Sequence, residues 1–372
     1  MNMKEKLGNY IQEYSVRNKA GEDIPVYSVT NTQGFCKDYF GKEVASKDKT
    51  TYKVVPRGFF AYNPSRINVG SVDYQRYEDR VIVSPLYNVF SVSEELDKQY
   101  LYYYLKSDIA LQRIRTVASG SVRDNLKLSM LYEFPINLKS IDEQKDVVRK
   151  LDKVKLVIDL RKAELQQLDE LVKSRFVELF GDCKNMVALN ELCSVITDGT
   201  HQPPRFQNEG IPFIFVSNLA NNTVTYNTEK FISEETYNEL IKRTPIELGD
   251  ILLSTVGSYG HPAVVVEERK FLFQRHIAYL KPKRSLVNSF YLHSALLAPN
   301  GQRQIEEKVK GIAQKTLNLS EIRKIMIPIP SIEEQNSFES FIKHTDKSKV
   351  VVQKALDEAQ TLFDSLMQEY FG

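Results

Sequence analysis

The side chains that most often carry catalysis are scattered along this chain. Its five histidines lie far apart and form no H-E-x-x-H zinc motif. The sequence contains neither a G-x-x-x-x-G-K-[ST] phosphate loop nor a G-x-S-x-G nucleophile turn. Tyr62-Asn63-Pro64-Ser65 and Gln202-Pro203-Pro204-Arg205 come near the N/D-P-P-Y/F tetrapeptide of aminomethyltransferases, but both lack residues that it needs. We therefore predict no catalytic site and no metal site in this chain.

The composition is that of a globular protein of two or three domains. The 372 residues are 42% hydrophobic and 26% charged, and 50 basic against 48 acidic residues leave a net charge of +2. This balance excludes a polybasic protein but not a nucleic-acid-binding one, because charge can be segregated along a chain. The three cysteines form no C-x-x-C, which argues against a disulfide framework or a zinc cluster and suits a cytoplasmic protein. The sequence has no apolar run of 18 residues and therefore predicts no membrane span.

A repeat with an offset of 191 residues organises the sequence. Residues 140–181 and 331–372 align without a gap, and both begin with S-I-x-E-Q and end with F-G. Ser140 and Ser331 are followed three residues later by glutamate, which predicts an N-cap and a capping box. Gly181 and Gly372 suit the C-terminus of a helix. We predict two long helices, each of about 40 residues and roughly 60 Å.

Apolar residues in both copies recur alternately three and four residues apart, which is the heptad pattern of a coiled coil. Arg161 interrupts the first seam and Lys349 the second, at different places, which favours pairing with each other over self-pairing. We expect an antiparallel pair; the alternative is that each helix packs on its own globular domain. The predicted seam residues are Leu151, Val154, Ile158, Leu165, Leu168, Val172, Leu179, Val352, Leu356, Phe363 and Leu366.

The stretches before the two helices share an order of predicted elements. Residues 1–139 and 182–330 show strand-like runs followed by a helix, and Asn125–Ser129 parallels Thr316–Ser320 near their ends. These stretches carry net charges of +4 and +2, whereas residues 331–372 carry −4, which hints at an anionic partner. We predict an α+β fold in which two similar mixed domains, here called the first and second modules, are each followed by a spacer helix (140–181 and 331–372).

The chain resembles the specificity subunit of type I restriction–modification enzymes over essentially its whole length. In the second module the resemblance is carried by VITDGTHQPPRFQNEGIPFIFVSNL, LGDILLSTVGSYGHPAVV, FLFQRHIAYLKPK and GIAQKTLNLSEIRKIMIPIPSIEEQ. In the first module it is carried by YKVVPRGFFAYNPSRINVGSV and VIVSPLYNVF. Each phrase alone is moderately specific, and their duplicated order with the S-I-x-E-Q helices makes the resemblance strong.

The resemblance implies a DNA-recognition subunit that catalyses nothing. Each module would be a target-recognition domain that reads one half of a bipartite DNA sequence, and the helices would form an antiparallel coiled coil that sets the half-site distance. Two modification subunits, which bind S-adenosylmethionine and methylate adenine, would dock on this chain, and a motor–nuclease subunit is a further possible partner. No cofactor is expected in the chain itself. Because the polar loops of the two modules differ, we expect an asymmetric site.

On this interpretation Lys and Arg contact phosphates, while Arg, Asn and Gln contact base edges. In the second module the candidate segments include the loop 200–205, the turn 257–261 and the polar stretch 314–318; for the turn, a plain hairpin is slightly favoured. The alternatives are a structural loop that covers a sheet edge and a plain hairpin turn. The candidate DNA contacts are Thr200, His201, Gln202, Arg205, Ser258, Tyr259, His261, Arg275, His276, Gln314, Lys315 and Asn318.

The first module offers an equivalent polar strand and loop. Its candidate contacts are Arg57, Tyr62, Asn63, Arg66, Arg123, Asn125 and Lys127, with Arg76 and Tyr77 as weaker ones. The aromatic cluster 100–105 is assigned to the core rather than to base stacking. Two other functions stay open: a coiled-coil scaffold whose modules bind only protein, and an independent nuclease or methyltransferase, which the missing motifs disfavour.

Overall fold

The computed structural model describes residues 5–37, 48–118, 125–311 and 314–372. The chain divides into two compact units. The first comprises Met1–Arg161 with Ala355–Gly372, and the second comprises Lys162–Lys354. Each unit therefore contains one module together with a segment of both long helices. The module boundaries at residues 139, 181 and 330 stay predictions, because the division between the units falls within the helices.

The first unit is built from short strands and then helices. Strands β1–β10 are Glu5–Lys6, Ile11–Glu13, Ser28–Thr30, Gly34–Cys36, Lys53–Pro56, Phe60–Tyr62, Val72–Tyr74, Arg80–Val83, Asn88–Val92 and Pro135–Ile136. Helices α1–α4 are Lys98–Lys106, Asp108–Ala118, Leu128–Tyr132 and the long helix Ile141–Phe180, which continues into the second unit.

The second unit follows a similar order, with two additional short helices among its strands. Strands β11–β19 are Met186–Ala188, Cys193–Asp198, Ile211–Ile214, Phe231–Ile232, Ile251–Ser254, Pro262–Val264, Leu272–Phe273, Ile277–Pro282 and Met326–Pro328. Helices α5–α10 are Leu189–Leu192, Glu234–Leu240, Ser289–Leu297, Pro299–Lys308, Leu319–Ile322 and the second long helix, Ile332–Phe371, which ends in the first unit.

A four-stranded antiparallel sheet of the same strand order lies in each module. The order is β2-β9-β6-β7 in the first module and β12-β18-β15-β16 in the second. The inward faces of these sheets are apolar, so Phe60 and Phe90 stack in one module, 5.1 Å apart, while Leu253 and Leu280 are buried in the other. The modules differ in their smaller sheets, which are β3-β4 and β5-β8 in the first module but β14-β13-β17 in the second. The shared sheet is thus the common scaffold.

Both long helices begin at a capping box. Ser140 N donates to Glu143 Oε2 (2.9 Å), and Glu143 N donates back to Ser140 Oγ (3.4 Å). Ser331 and Glu334 make the same two bonds at 2.9 and 3.3 Å. These bonds satisfy backbone donors that a helix N-terminus otherwise leaves without partners.

A buried glutamine joins the start of α4 to the first module. Gln144 Nε2 donates to the carbonyl oxygens of Glu95 (2.9 Å) and Lys139 (2.8 Å), and its Oε1 accepts from Asp97 N (2.8 Å). Asp97 is the N-cap of α1. Because the amide is 0% exposed, all three bonds form away from water, where unpaired groups are costly.

Gln335 makes the corresponding bonds at the start of α10. Its Nε2 donates to the carbonyl oxygens of Leu286 (3.3 Å) and Pro330 (3.1 Å), and its Oε1 accepts from Asn288 N (2.9 Å). Asn288 is the N-cap of α7 and lies 191 residues after Asp97. The sequence repeat is therefore also a repeat of hydrogen bonds.

The end of α4 packs on the second module through aromatic rings. Phe180 contacts Tyr291 and Phe338, with ring centroids 5.0 and 5.5 Å apart. Phe176 contacts the same two rings at 5.3 and 5.5 Å. Since Phe338 belongs to the start of α10, the end of one long helix lies beside the start of the other in this unit. The ion pair between Lys349 Nζ and Asp169 Oδ1 (2.8 Å) joins the same two segments.

The first unit has the same arrangement with the helices exchanged. Phe371, near the end of α10, contacts Tyr100 and Tyr104 at 5.0 and 6.2 Å, and it shares a core cluster with Val147 and Leu151 of α4. In both units the two long helices are antiparallel, which confirms the predicted fold class. Each helix start also packs on the preceding module, so the alternative, in which each helix packs on its own domain, describes part of the observed arrangement.

The predicted seam residues are buried or half-buried with one exception. Leu179 is 46% exposed, so its assignment to the seam is wrong. The apolar stripe passes from Val172 to Phe176 and Phe180 instead, at four-residue spacing, because the end of α4 turns its aromatic face to the second module. The aromatic cluster 100–105 belongs to the core, as predicted.

Replacing Gln335 by Ala should destabilise the protein by about 2–3 kcal/mol, because three backbone groups lose the buried amide with which they pair. The loss should appear as a fall of several degrees in the thermal midpoint. Gln360→Ala, on the exposed side of the same helix, is the matched control and should change stability by less than about 0.5 kcal/mol. Equal effects of the two substitutions would contradict the assigned role of the glutamine.

Adjacent residues at the end of α4 should respond differently to truncation. Phe180→Ala removes a buried ring and should cost about 3–5 kcal/mol in denaturant unfolding. Leu179→Ala removes an exposed side chain and should cost less than about 0.5 kcal/mol. A large loss for Leu179→Ala would restore the predicted heptad seam at this position.

Candidate nucleic-acid interface

The second module collects its predicted contacts at one edge of its four-stranded sheet. Strands β12 and β15 end there, and β16 and β18 begin there, as the pairs Asp198↔Ala278, Ser254↔Ile277 and Leu253↔Pro262 show. Loops 199–205, 255–261 and 274–276 leave the sheet at this edge. Together with the segment 314–318 we call them the second loop edge.

Backbone hydrogen bonds hold these four segments together. Arg275 N donates to Thr200 O (3.0 Å), and Thr200 N donates to Phe273 O (2.9 Å). Thr255 N donates to His276 O (2.9 Å), and Leu317 N donates to Thr255 O (2.8 Å). Segments that lie far apart in the sequence therefore form one continuous surface with a fixed backbone.

Several side chains of the second loop edge are exposed and have no partner within the described part of the chain. Arg205 and Arg275 are exposed, and neither guanidinium makes a hydrogen bond or an ion pair with any described residue. The same holds for the polar side-chain atoms of Gln202, Ser258, Gln314 and Asn318. Guanidinium and amide groups without internal partners are suited to phosphates and base edges.

Other members of the predicted set already have partners. His201 Nε2 lies 2.7 Å from Asp198 Oδ2, and Asp198 also pairs with Arg243. Lys315 Nζ lies 2.8 Å from Glu306 Oε1, and the Tyr259 hydroxyl donates to the same carboxylate. These acidic partners were missed in the sequence, because neither lies beside its cation in a recognisable motif.

The other two histidines among the predicted contacts, His261 and His276, differ in environment. Burial and the charge of Arg275 lower the pKa of His276, so its imidazole is neutral at neutral pH. His261 Nδ1 lies 3.0 Å from Asn222 Oδ1. Asn222 has a left-handed backbone (φ 58°) and was another residue that the sequence did not single out.

In the first module, Asn63, Arg66, Asn125 and Lys127 lie at the corresponding edge. Strand β6 ends at Tyr62, and Leu126 N donates to Pro64 O (3.1 Å), as Leu317 does to Thr255 in the second module. Arg66 and Lys127 are exposed, and their side chains pair with no described residue. We call residues 63–66 with 125–127 the first loop edge. Arg123 lies outside the described residues.

Three other first-module candidates lie at the opposite edge of the sheet. Arg57 precedes β6, and its guanidinium donates to the carbonyl oxygens of Arg76 (3.4 Å) and Tyr77 (3.3 Å), which follow β7. Arg76 also pairs with the buried carboxylate of Asp73, at 2.7 Å. The structure therefore does not bring these three residues together with the first loop edge.

Tyr62 is a correction to the predicted contacts. The side chain is 0% exposed, its hydroxyl donates to Leu126 O (3.0 Å) and accepts from Asn88 Nδ2 (2.8 Å), and burial raises its pKa. It cannot reach DNA from this position. It instead holds the segment 125–127 that carries Asn125 and Lys127.

No helix in the described part of the chain is long and apolar enough to cross a membrane. Among the described residues no three His, Cys, Asp or Glu side chains are grouped as metal ligands. The predicted absence of a cofactor is not tested by either finding.

A family model described as the type I restriction modification DNA specificity domain matches residues 5–170 and again 183–358. The chain therefore belongs to this family. It is a DNA sequence-recognition subunit, a non-catalytic component of a type I restriction–modification system, and its partners are DNA and other subunits of such a system. The scaffold and independent-enzyme alternatives are not favoured.

Individual relatives agree with the family match. The chain is 24% identical to the type I restriction enzyme EcoBI specificity subunit of Escherichia coli over 374 residues, covering 89% of this chain and 78% of that protein. It is 25% identical to the MjaIX specificity subunit of Methanocaldococcus jannaschii over 293 residues, covering 72% and 67%.

Solved structures of such subunits share the fold. A chain from work on complex assembly and conformational transition of the type I R-M system has a TM-score of 0.58 at 19% identity, covering 99% of this chain and 96% of that one. The type I S subunit from M. genitalium has a TM-score of 0.51 at 15% identity, with the same coverage.

Tyr62→Phe should lower the free energy of unfolding by about 1–2 kcal/mol, because Leu126 O and Asn88 lose a buried partner. The sequence recognised by the assembled complex should stay the same. Thermal unfolding and methylation mapping measure the two effects separately. A changed recognition sequence with unchanged stability would return Tyr62 to the DNA contacts.

Proposed function

We propose that each module contacts one half of an asymmetric, bipartite DNA sequence through its loop edge. The observation that carries the proposal is the convergence of four separate segments at the second loop edge, where Arg205, Arg275 and Gln202 are exposed and have no side-chain partner among the described residues. A rigid backbone that presents unpaired guanidinium and amide groups suits direct readout, because each good bidentate contact discriminates by about 1–3 kcal/mol.

The two loop edges differ in chemistry, which supports an asymmetric site. Lys127 of the first edge corresponds at the repeat offset to Asn318 of the second, so a cation is replaced by an amide. A lysine suits a phosphate, whereas an asparagine suits the edge of an adenine. Different half-sites follow from such replacements on a common scaffold.

We propose that the paired helices set the spacing of the half-sites. A 40-residue helix is about 60 Å long. That length suits two half-sites about two turns of B-DNA apart, at ~34 Å per turn. An antiparallel pair is stiffer than a single peptide linker, so the number of unread base pairs would be fixed by protein geometry.

The partners follow from the same role. We propose that two modification subunits, each with S-adenosylmethionine, dock on the modules and helices and methylate an adenine that is extruded from the duplex. A motor–nuclease subunit would join them when the complex cuts DNA. The three cysteines are unpaired, which supports action in the reducing cytoplasm. With a net charge of +2, the isolated chain should bind DNA weakly and with a modest salt slope.

The direct test of this proposal substitutes the two exposed arginines of the second loop edge. The double variant Arg205→Gln/Arg275→Gln, assembled with modification subunits and S-adenosylmethionine, should lose at least about tenfold in methylation at the wild-type sites or relax one half of the sequence. Single-molecule sequencing of the methylated genome measures both effects.

Arg269→Gln is the matched control, because Arg269 is exposed on the β16–β17 loop, away from the second loop edge, where its guanidinium lies 4.8 Å from the Tyr226 ring centroid. It should leave the methylated sequence and its extent unchanged. A normal methylation map for the double variant would overturn the proposed role of the second loop edge.

A further inference from the structure

We propose that Glu306 occupies, in the free protein, the place that a DNA phosphate takes beside Lys315 in the complex. The second module must then break an internal ion pair before Lys315 can contact DNA. The inference rests on the proposed function of the second loop edge and adds a residue that sets its affinity.

Three side chains form a closed ring at this place. Lys315 Nζ lies 2.8 Å from Glu306 Oε1 and donates to the Tyr259 hydroxyl at 3.1 Å. The Tyr259 hydroxyl donates in turn to the Glu306 carboxylate. Lys315 Nζ also lies 5.6 Å from the centre of the Tyr259 ring. Tyr259 and Lys315 belong to the second loop edge, whereas Glu306 projects from the neighbouring helix α8.

The carboxylate receives the hydrogen bonds that a phosphate oxygen would receive. A lysine ammonium and a phenol hydroxyl are both common donors to DNA phosphates. The hydrogen bonds of Lys315 and Tyr259 lower the pKa of Glu306, so the carboxylate is charged at neutral pH. An anion therefore already fills this donor pair, and it would repel a phosphate that approaches Lys315.

The ion pair is exposed enough to be exchanged. The side chains of Lys315 and Glu306 are 53% and 59% exposed, and solvent-exposed pairs of this kind hold together weakly. A phosphate of the DNA polyanion can therefore displace the carboxylate, at a cost in affinity.

The first module lacks this carboxylate. At the repeat offset of 191 residues, Glu306 corresponds to Arg115, and Tyr259 corresponds to Asn68. Arg115 Nε donates to the backbone oxygen of Asn68 at 3.3 Å. The first module thus has an arginine at the position where the second module has this carboxylate.

The test measures binding of the full-length chain to a mixed-sequence 40-base-pair duplex at low salt by fluorescence anisotropy. Non-specific binding depends on phosphate contacts, so the recognised sequence is not needed. Glu306→Gln should tighten binding about three- to fivefold, as expected from loss of an exposed ion pair. The matched control is Glu307→Gln, the next residue of α8, which pairs with Arg303 at 2.8 Å. It should change the affinity less than twofold.

A double-variant cycle assigns the gain to Lys315. In a Lys315→Met background, Glu306→Gln should give no more gain than Glu307→Gln. If the pair only tethers α8 to the segment 314–318, Glu306→Gln would weaken DNA binding and lower the thermal midpoint, and the inference would be overturned. Equal gains for Glu306→Gln and Glu307→Gln would also overturn it, since they would reflect net charge alone.

The same duplex separates this inference from the proposed function. If Arg205→Gln/Arg275→Gln weakens binding while Glu306→Gln behaves like its control, only the role of Glu306 is wrong. If neither the arginine variant nor Glu306→Gln changes binding, the second loop edge does not contact DNA, and both proposals are wrong.

Discussion

In each unit the start of one long helix and the end of the other pack on the module, and the rest of the structure depends on these two attachments. A buried glutamine, Gln144 or Gln335, ties the start of one long helix to the N-cap of a module helix. A terminal phenylalanine, Phe371 or Phe180, brings the end of the other helix to a core tyrosine of the same module. The glutamine fixes the orientation of the helix start, because its three hydrogen bonds form together in only one geometry. The phenylalanine ring contributes apolar burial.

This attachment separates the scaffold from the loop edges that we propose to read DNA. The two modules share the strand order of their four-stranded sheets. In both, a backbone hydrogen bond ties two distant segments of the loop edge together, from Leu126 to Pro64 in the first module and from Leu317 to Thr255 in the second. The side chains on these loops differ between the modules. A duplicated scaffold with unlike loops would account for the proposed recognition of two different half-sites by one subunit.

The sequence predicts the frame better than it predicts the surface. Capping boxes, heptads and the 191-residue repeat are local signals, so the helices and their antiparallel pairing could be predicted. Tyr62 could not be assigned correctly, because the partners that bury it, Asn88 and Leu126, are distant in sequence. Leu179 follows the heptad, yet tertiary contacts select Phe176 and Phe180 instead. The separation of Arg57 from Arg66 likewise depends on which end of the sheet each loop leaves.

The central claim is that each module reads its own half-site independently on a shared frame. The most direct measurement replaces residues 182–330 with the matching segment of another family member, assembles the complex with modification subunits and maps the methylated sequence. The account predicts that one half of the sequence changes while the other half and the spacer length persist. A change in both halves, or an unchanged sequence, would contradict it.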